Sequence, residues 1–261
     1  MRNAFYVGVA LASLAILLQP SARGQPGDGK VVQTVALETS KLDQPLAWMS
    51  EAKRNFSAVK DYSCTMVSQE NVRGKLLEEN IMQMKVKSQP FSVHMRWIAP
   101  AKFKEQEVAF VQGKNNNKMR VKSNVLGAKI VGFMSIDPND PRVLEHSRHN
   151  ILEAGIGNMI DRTLGTWETE RKFGKTEVRI GESKYNQRDC YRIESIRSER
   201  RPEFYCFRSV IYLEKNSKLP IRMENYDWPR AGGSPDGDVL EIFSYVNLQF
   251  NTGLRDEEFN K

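Results

Sequence analysis

The stretch Pro90–Pro100, PFSVHMRWIAP, decides how the rest of the chain is read. Its odd positions carry Phe91, Val93, Met95 and Trp97; its even positions carry Ser92, His94 and Arg96 until Ile98 breaks the alternation. Successive side chains on a β-strand point to opposite faces, so the four large apolar groups share one side. Prolines bracket the run, as they bracket many strands. The question is what that apolar face lies against: the protein's own core, or something the protein carries.

Half-polar runs of the same kind recur on both sides. Upstream, DYSCTMVSQE meets the turn NVRGK, and LLEENIMQMKVK puts Met82, Met84 and Val86 on one face. Downstream, EQEVAFVQG and KMRVKSNVL are separated by GKNNN, and AKIVGFMSI ends at DPNDP. A second group closes the chain: TEVRIGES, CYRIESIR, EFYCFRSVIYLE, LPIRMENYDW and VLEIFSYVNLQF. The last of these sets Leu240, Ile242, Val246, Leu248 and Phe250 on one face. Two segments have helical spacing instead. Leu46, Met49, Ala52, Phe56 and Val59 predict an amphipathic helix with Asp43 as N-cap and Pro45 in the first turn. Between the strand groups, Leu152, Ile156, Met159, Ile160 and Leu164 predict a long helix to about Lys172, after a short helix and a break near HNI.

This order predicts an α+β fold, mainly antiparallel β. Long meanders curl to hide their edges, and amphipathic helices need an apolar surface. A strongly curved, unclosed β-barrel with helices packed in its concave face meets both demands.

The N-terminus has a short basic start (MRNAF), an apolar run (YVGVALASLAILL) and a small-residue site (SARGQ), the layout of a signal peptide over residues 1–24. Residues 25–42 read as a flexible leader and 43–261 as a single domain. The expected location is periplasmic or secreted. The net charge of +7 has both signs interspersed and no dense Lys/Arg block, which excludes nucleic acid and allows an anionic membrane surface. Arg197, Arg200 and Arg201 crowd one turn, where guanidinium groups are solvated or pair with lipid phosphate.

Chemical motifs are absent. His146 and His149 sit three apart but not as H-E-x-x-H, GGSPDGD does not match G-x-S-x-G, and GIGNMI lacks the dinucleotide fingerprint. No catalytic set, metal site or cofactor is expected. The cysteines are Cys64, Cys190 and Cys206, and an odd number leaves at least one thiol free or paired with another chain. A Cys190–Cys206 disulfide is expected across the SERRP hairpin; a one-residue register shift would leave two buried thiols instead. Met82, Met84, Met95, Met134, Met159 and Met223 either fill the core or form a wall that adapts to variable apolar ligands.

The motifs PFSVHMRWIAP, VAFVQGKN, RHNILEAGI and LPIRMENYDWP resemble an exported bacterial family of undefined function. More distantly, the N-terminal strands paired with the LPIRMENYDW hairpin and the NTGLRDEEF tail resemble the LolA/LolB-like superfamily of outer-membrane lipoprotein carriers, over roughly residues 45–260. The resemblance implies an unclosed barrel lidded by helices around a cavity for acyl chains. It implies an exported, non-enzymatic binding protein for lipid or lipidated protein in the cell envelope. The alternative is an envelope sensor or protein-interaction module on the same fold. Phe91, Val93, Met95, Trp97, Met82 and Met84 are the expected ligand-binding residues, and Arg96 is the candidate for the carriers' cavity-gating arginine.

Overall fold

The computed structural model describes residues 37–40, 42–123 and 132–261. The expected signal peptide, most of the expected leader and the start of AKIVGFMSI lie outside the described residues. The strands are β1 (Leu37–Ser40), β2 (Asp61–Val72), β3 (Lys75–Leu76), β4 (Asn80–Lys87), β5 (Ser92–Ala99), β6 (Glu107–Val111), β7 (Met119–Lys122), β8 (Met134–Ile136), β9 (Thr176–Tyr185), β10 (Arg188–Arg197), β11 (Arg208–Glu214), β12 (Pro220–Tyr226) and β13 (Val239–Phe250). The helices are α1 (Asp43–Phe56) and α2 (Ile156–Arg171).

Tight turns string the sheet together. Arg73–Gly74 joins β2 to β3 and Asn186–Gln187 joins β9 to β10, each with both residues at positive φ. That is the twist a two-residue antiparallel hairpin prefers. All pairings are antiparallel, in the order β1-β9-β10-β11-β12-β13-β2-β4-β5-β6-β7-β8, with β3 beside β2. The C-terminal strand β13 therefore joins the two strand groups by pairing with β2. Among the described residues β1 and β8 do not pair, so the sheet is open, and one continuous core joins its inner face to both helices. The architecture is the expected α+β unclosed barrel.

Four local expectations are corrected. Leu37–Ser40, assigned to the flexible leader, pairs with β9, and Leu42 is buried. Asp43 is the first helical residue of α1, with Leu42 at the N-cap position. The short helix expected before HNI is a run of turns, because Ser147 and the Arg148 amide bond to the Glu70 carboxylate and not to a helical ladder. In β13 the even positions do not all share a face. The register shifts between Val246 and Gln249, with Asn247 at φ +56°, so the inward side passes from Phe243 and Tyr245 to Leu248. An extra residue in one strand reverses the alternation beyond it.

The Cys190–Cys206 bridge does not form; all three thiols are free and buried. Cys190 lies opposite Glu214 in the β10–β11 ladder, whereas Cys206 precedes β11 at the other end of the hairpin. The starts of two antiparallel strands are at opposite ends, here separated by roughly 20 Å of strand.

Two glycines place α2. Gly155 precedes it at φ +99°, and a Cβ there would lie 2.6 Å from the Tyr62 hydroxyl, which accepts from the Ile156 amide. Gly157 lies inside α2, where a Cβ would meet the Phe56 ring at 2.6 Å. Without it α1 could not approach so closely. Ile156, Met159, Ile160, Leu164 and Trp167 then form the buried stripe of α2.

Candidate functional site

The inner face of β5 is part core and part cavity wall. Met82 pairs with Trp97, Met84 with Met95, and Val86 with Val93 across β4 and β5. Val86, Val93 and Met84 are core, and Phe91 packs half-buried against the Phe110 ring at 6.2 Å. A methyl of Met84 lies under the start of α2, beside Gly155. Met82, Met95 and Trp97 instead wall a cavity of about 820 Å³. Trp97 is fixed there by its indole, which donates to Asn80 Oδ1 at 3.0 Å. Arg96 points the other way and pairs with exposed Glu105. Its even position puts it on the outer face, so the structure does not bring it to the cavity.

The rest of the wall comes from β2, β6–β8, β11–β13, α2 and a strap, residues 142–155, that crosses between sheet and helix. Seven methionines border the space: Met66, Met82, Met95, Met119, Met134, Met159 and Met223. Each sits on the inward face of its strand or helix, and the thioethers give an apolar surface that re-shapes at low cost.

One end of the cavity is polar. Glu70 of β2 and Glu241 of β13 are cross-strand partners on the inner face, and both are buried. They hold the strap. Glu70 accepts from the Ser147 hydroxyl at 3.0 Å and from the Arg148 amide at 2.7 Å. Glu241 meets His149 Nε2 at 2.7 Å and accepts from the Tyr205 hydroxyl and Asn225 Nδ2, each at 2.8 Å. His149 Nδ1 faces Glu153 at 2.8 Å, and Arg162 of α2 reaches both. Tyr205 has Arg148 and Arg162 over its ring.

The electrostatics follow from burial and partners. Burial opposes a charge on His149, but the hydrogen bond and charge of Glu241, with help from Glu153, outweigh it and hold the imidazole above its ordinary value. Burial likewise works to raise Glu241, and His149, Tyr205 and Asn225 overcome it and depress the carboxyl. Glu70 is raised, because burial exceeds the help it receives from the Arg148 amide and Ser147. Cys206 lines the cavity, and burial pushes its thiol up to about 11, which makes it a poor nucleophile. Among the described residues no group of three His, Cys, Asp or Glu side chains is placed to hold a metal ion.

Sequence reasoning missed this polar end. A signal existed for Glu70 and Glu241, since each carboxylate occupies an inward position in an alternating apolar run. His149 was read only against a zinc motif. Arg197 was read as a turn arginine, but it is buried and paired with Glu170.

No curated protein matches the chain. It is similar to an uncharacterized conserved protein from Thermus thermophilus at 9% identity, covering 84% of this chain and 94% of that one, with a TM-score of 0.47. It is similar to the lipoprotein LppX of Mycobacterium tuberculosis at 9% identity, covering 82% and 98%, with a TM-score of 0.46. For a LolA superfamily protein from Nitrosomonas europaea the identity is 10%, the coverage 82% and 96%, and the TM-score 0.33. Residues 59–261 match the family described as a protein of unknown function, DUF1571, and the chain belongs to that family.

Proposed function

We propose that the protein is an exported, non-enzymatic binding protein of the cell envelope whose cavity takes the apolar chain of a lipid or lipidated protein. The observation that carries this reading is the methionine-walled space of about 820 Å³ between an open sheet and its helices. Ligand pockets run from about 300 to 1,000 Å³, so the volume suits a chain-like guest. Each buried methylene contributes about 0.8 kcal/mol, and an acyl chain of about 14 carbons offers roughly 11 kcal/mol before ordering and association costs. The raised thiol of Cys206 and the carboxylate-bound His149 support binding over turnover. No helix among the described residues is long and apolar enough to cross a membrane. Export rests on the N-terminal sequence pattern.

Native mass spectrometry of protein purified from its own envelope is expected to show a lipid adduct. Trp97→Ala separates ligand wall from plain core. On the wall, the change weakens a fluorescent fatty-acyl probe and costs less than the roughly 3–5 kcal/mol of a truncated core aromatic. No saturable probe binding by the wild type, with a full core-sized loss in the variant, would rule the cavity reading out.

A further inference from the structure

Two groups compete for one nitrogen at the polar end of the cavity. His149 Nδ1 lies 2.8 Å from Glu153 Oε2 and 3.1 Å from Arg162 Nη1. To serve Glu153 the nitrogen must carry a hydrogen; to serve Arg162 it must offer a lone pair, because a guanidinium only donates. It cannot do both. Nε2, 2.7 Å from Glu241, keeps its hydrogen in either case. The charged ring therefore joins Glu241 to Glu153 and stops accepting from Arg162, which keeps its 3.4 Å ion pair with Glu153. The neutral ring accepts from Arg162 and gives up Glu153.

Arg162 is placed to use that freedom. It projects from α2 onto the cavity wall with 36% of its side chain exposed. Among the described residues its hydrogen bonds come from Nη1 alone, which leaves Nε and Nη2 open to a guest. The charged and titratable groups around His149 come from every neighbouring element: Glu241 from β13, Glu70 from β2, Arg148 and Glu153 from the strap, Arg162 from α2 and Tyr205 from the loop before β11. Phe243 closes the ring's remaining side, edge-on at 5.7 Å.

We propose that this end of the cavity is a headgroup site for an acidic amphiphile, in which Arg162 takes the anion and His149, by choosing between Glu153 and Arg162, sets how much of the guanidinium the anion receives. The inference rests on the cavity reading above and names its ligand class: an apolar chain along the methionines and a phosphodiester or carboxylate at Arg162. Lowering the pH charges His149, which adds a cation beside the anion and turns the ring from Arg162 to Glu153. Binding of an acidic amphiphile thus tightens as the pH falls through the imidazole range.

The test displaces a fluorescent acyl probe from the full mature protein. Lysophosphatidylglycerol keeps one negative charge throughout the range, and a monoacylglycerol of the same chain has none. The acidic lipid is expected to bind about tenfold tighter near pH 6 than near pH 9, and the neutral one equally at both. Arg162→Gln should make the two lipids equal. His149→Gln should remove the pH dependence. Glycerol phosphate, a headgroup without a chain, should leave the probe in place. Equal affinity for the two lipids in the wild type overturns the proposal even if His149→Gln fails to fold. So does pH dependence that survives in His149→Gln, or displacement by glycerol phosphate as strong as by the acidic lipid. Failure of both lipids and the probe to bind overturns the cavity reading as well, and so differs from failure of the headgroup site alone.

Discussion

Arg197 shows how much can hang on one side chain. Its Nε and Nη2 donate to the same oxygen of Glu170 at 3.0 and 2.7 Å, Thr176 donates to the other oxygen, and neither partner is more than 1% exposed. The pair ties the last turn of α2 to the end of β10. A buried pair gains little over an apolar substitute, but removing one member leaves the other charged and unsolvated. Arg197→Met is expected to lower stability by about 3–5 kcal/mol in urea unfolding, and Arg197→Met with Glu170→Leu to recover most of that. Equal losses in the single and double variants would contradict the assignment. The sequence offers no clue to this contact. Glu170 stands in the charged run WETERK and Arg197 opens RSERRP, both with the composition of a solvated surface. Only the packing of α2 against the sheet brings them together.

At the level of elements, the start of α2 depends on Gly155. Its φ of +99° excludes ordinary side chains, and the Tyr62 hydroxyl occupies the space a Cβ would need. Gly155→Ala should cost about 1–3 kcal/mol and expose the Ile156 amide that Tyr62 now satisfies. Faster hydrogen exchange at that amide would accompany the loss, and wild-type stability in the variant would refute the role. The run AGIGNM could be read as a break, and a break does stand there. What could not be read is that its two glycines do different work, one turning the chain and the other admitting Phe56 from α1. The bulge in β13 was hidden for a similar reason. Asn247 tolerates the left-handed conformation, but nothing in VLEIFSYVNLQF marks where alternation reverses, so Ile242 and Val246 were grouped with Leu248.

For the whole molecule, the alternation in PFSVHMRWIAP was enough to predict an antiparallel sheet, and the two strand groups around a helical insert were enough to predict that it curls. The same parity argument would have kept Arg96 off the inner face, since its position is even. The boundary between core and cavity is a different matter. Val93 and Trp97 share one face of one strand, and only the placement of α2 and the strap leaves the first covered and the second on an open wall. The polar end gathers residues from β2, the strap, α2, the loop before β11 and β13. No local pattern could announce it.

Seven thioethers around one space also make the cavity a chemical record of its contents. Oxidation turns a methionine into a polar sulfoxide, so peroxide that enters an empty cavity would roughen its lining and spoil it for apolar guests. A chain lying along the wall would shield the sulfurs. Brief peroxide treatment followed by peptide mass analysis is expected to modify Met82, Met95 and Met159 more slowly in lipid-loaded than in delipidated protein, while Met49, buried in α1 away from this wall, stays equally protected in both.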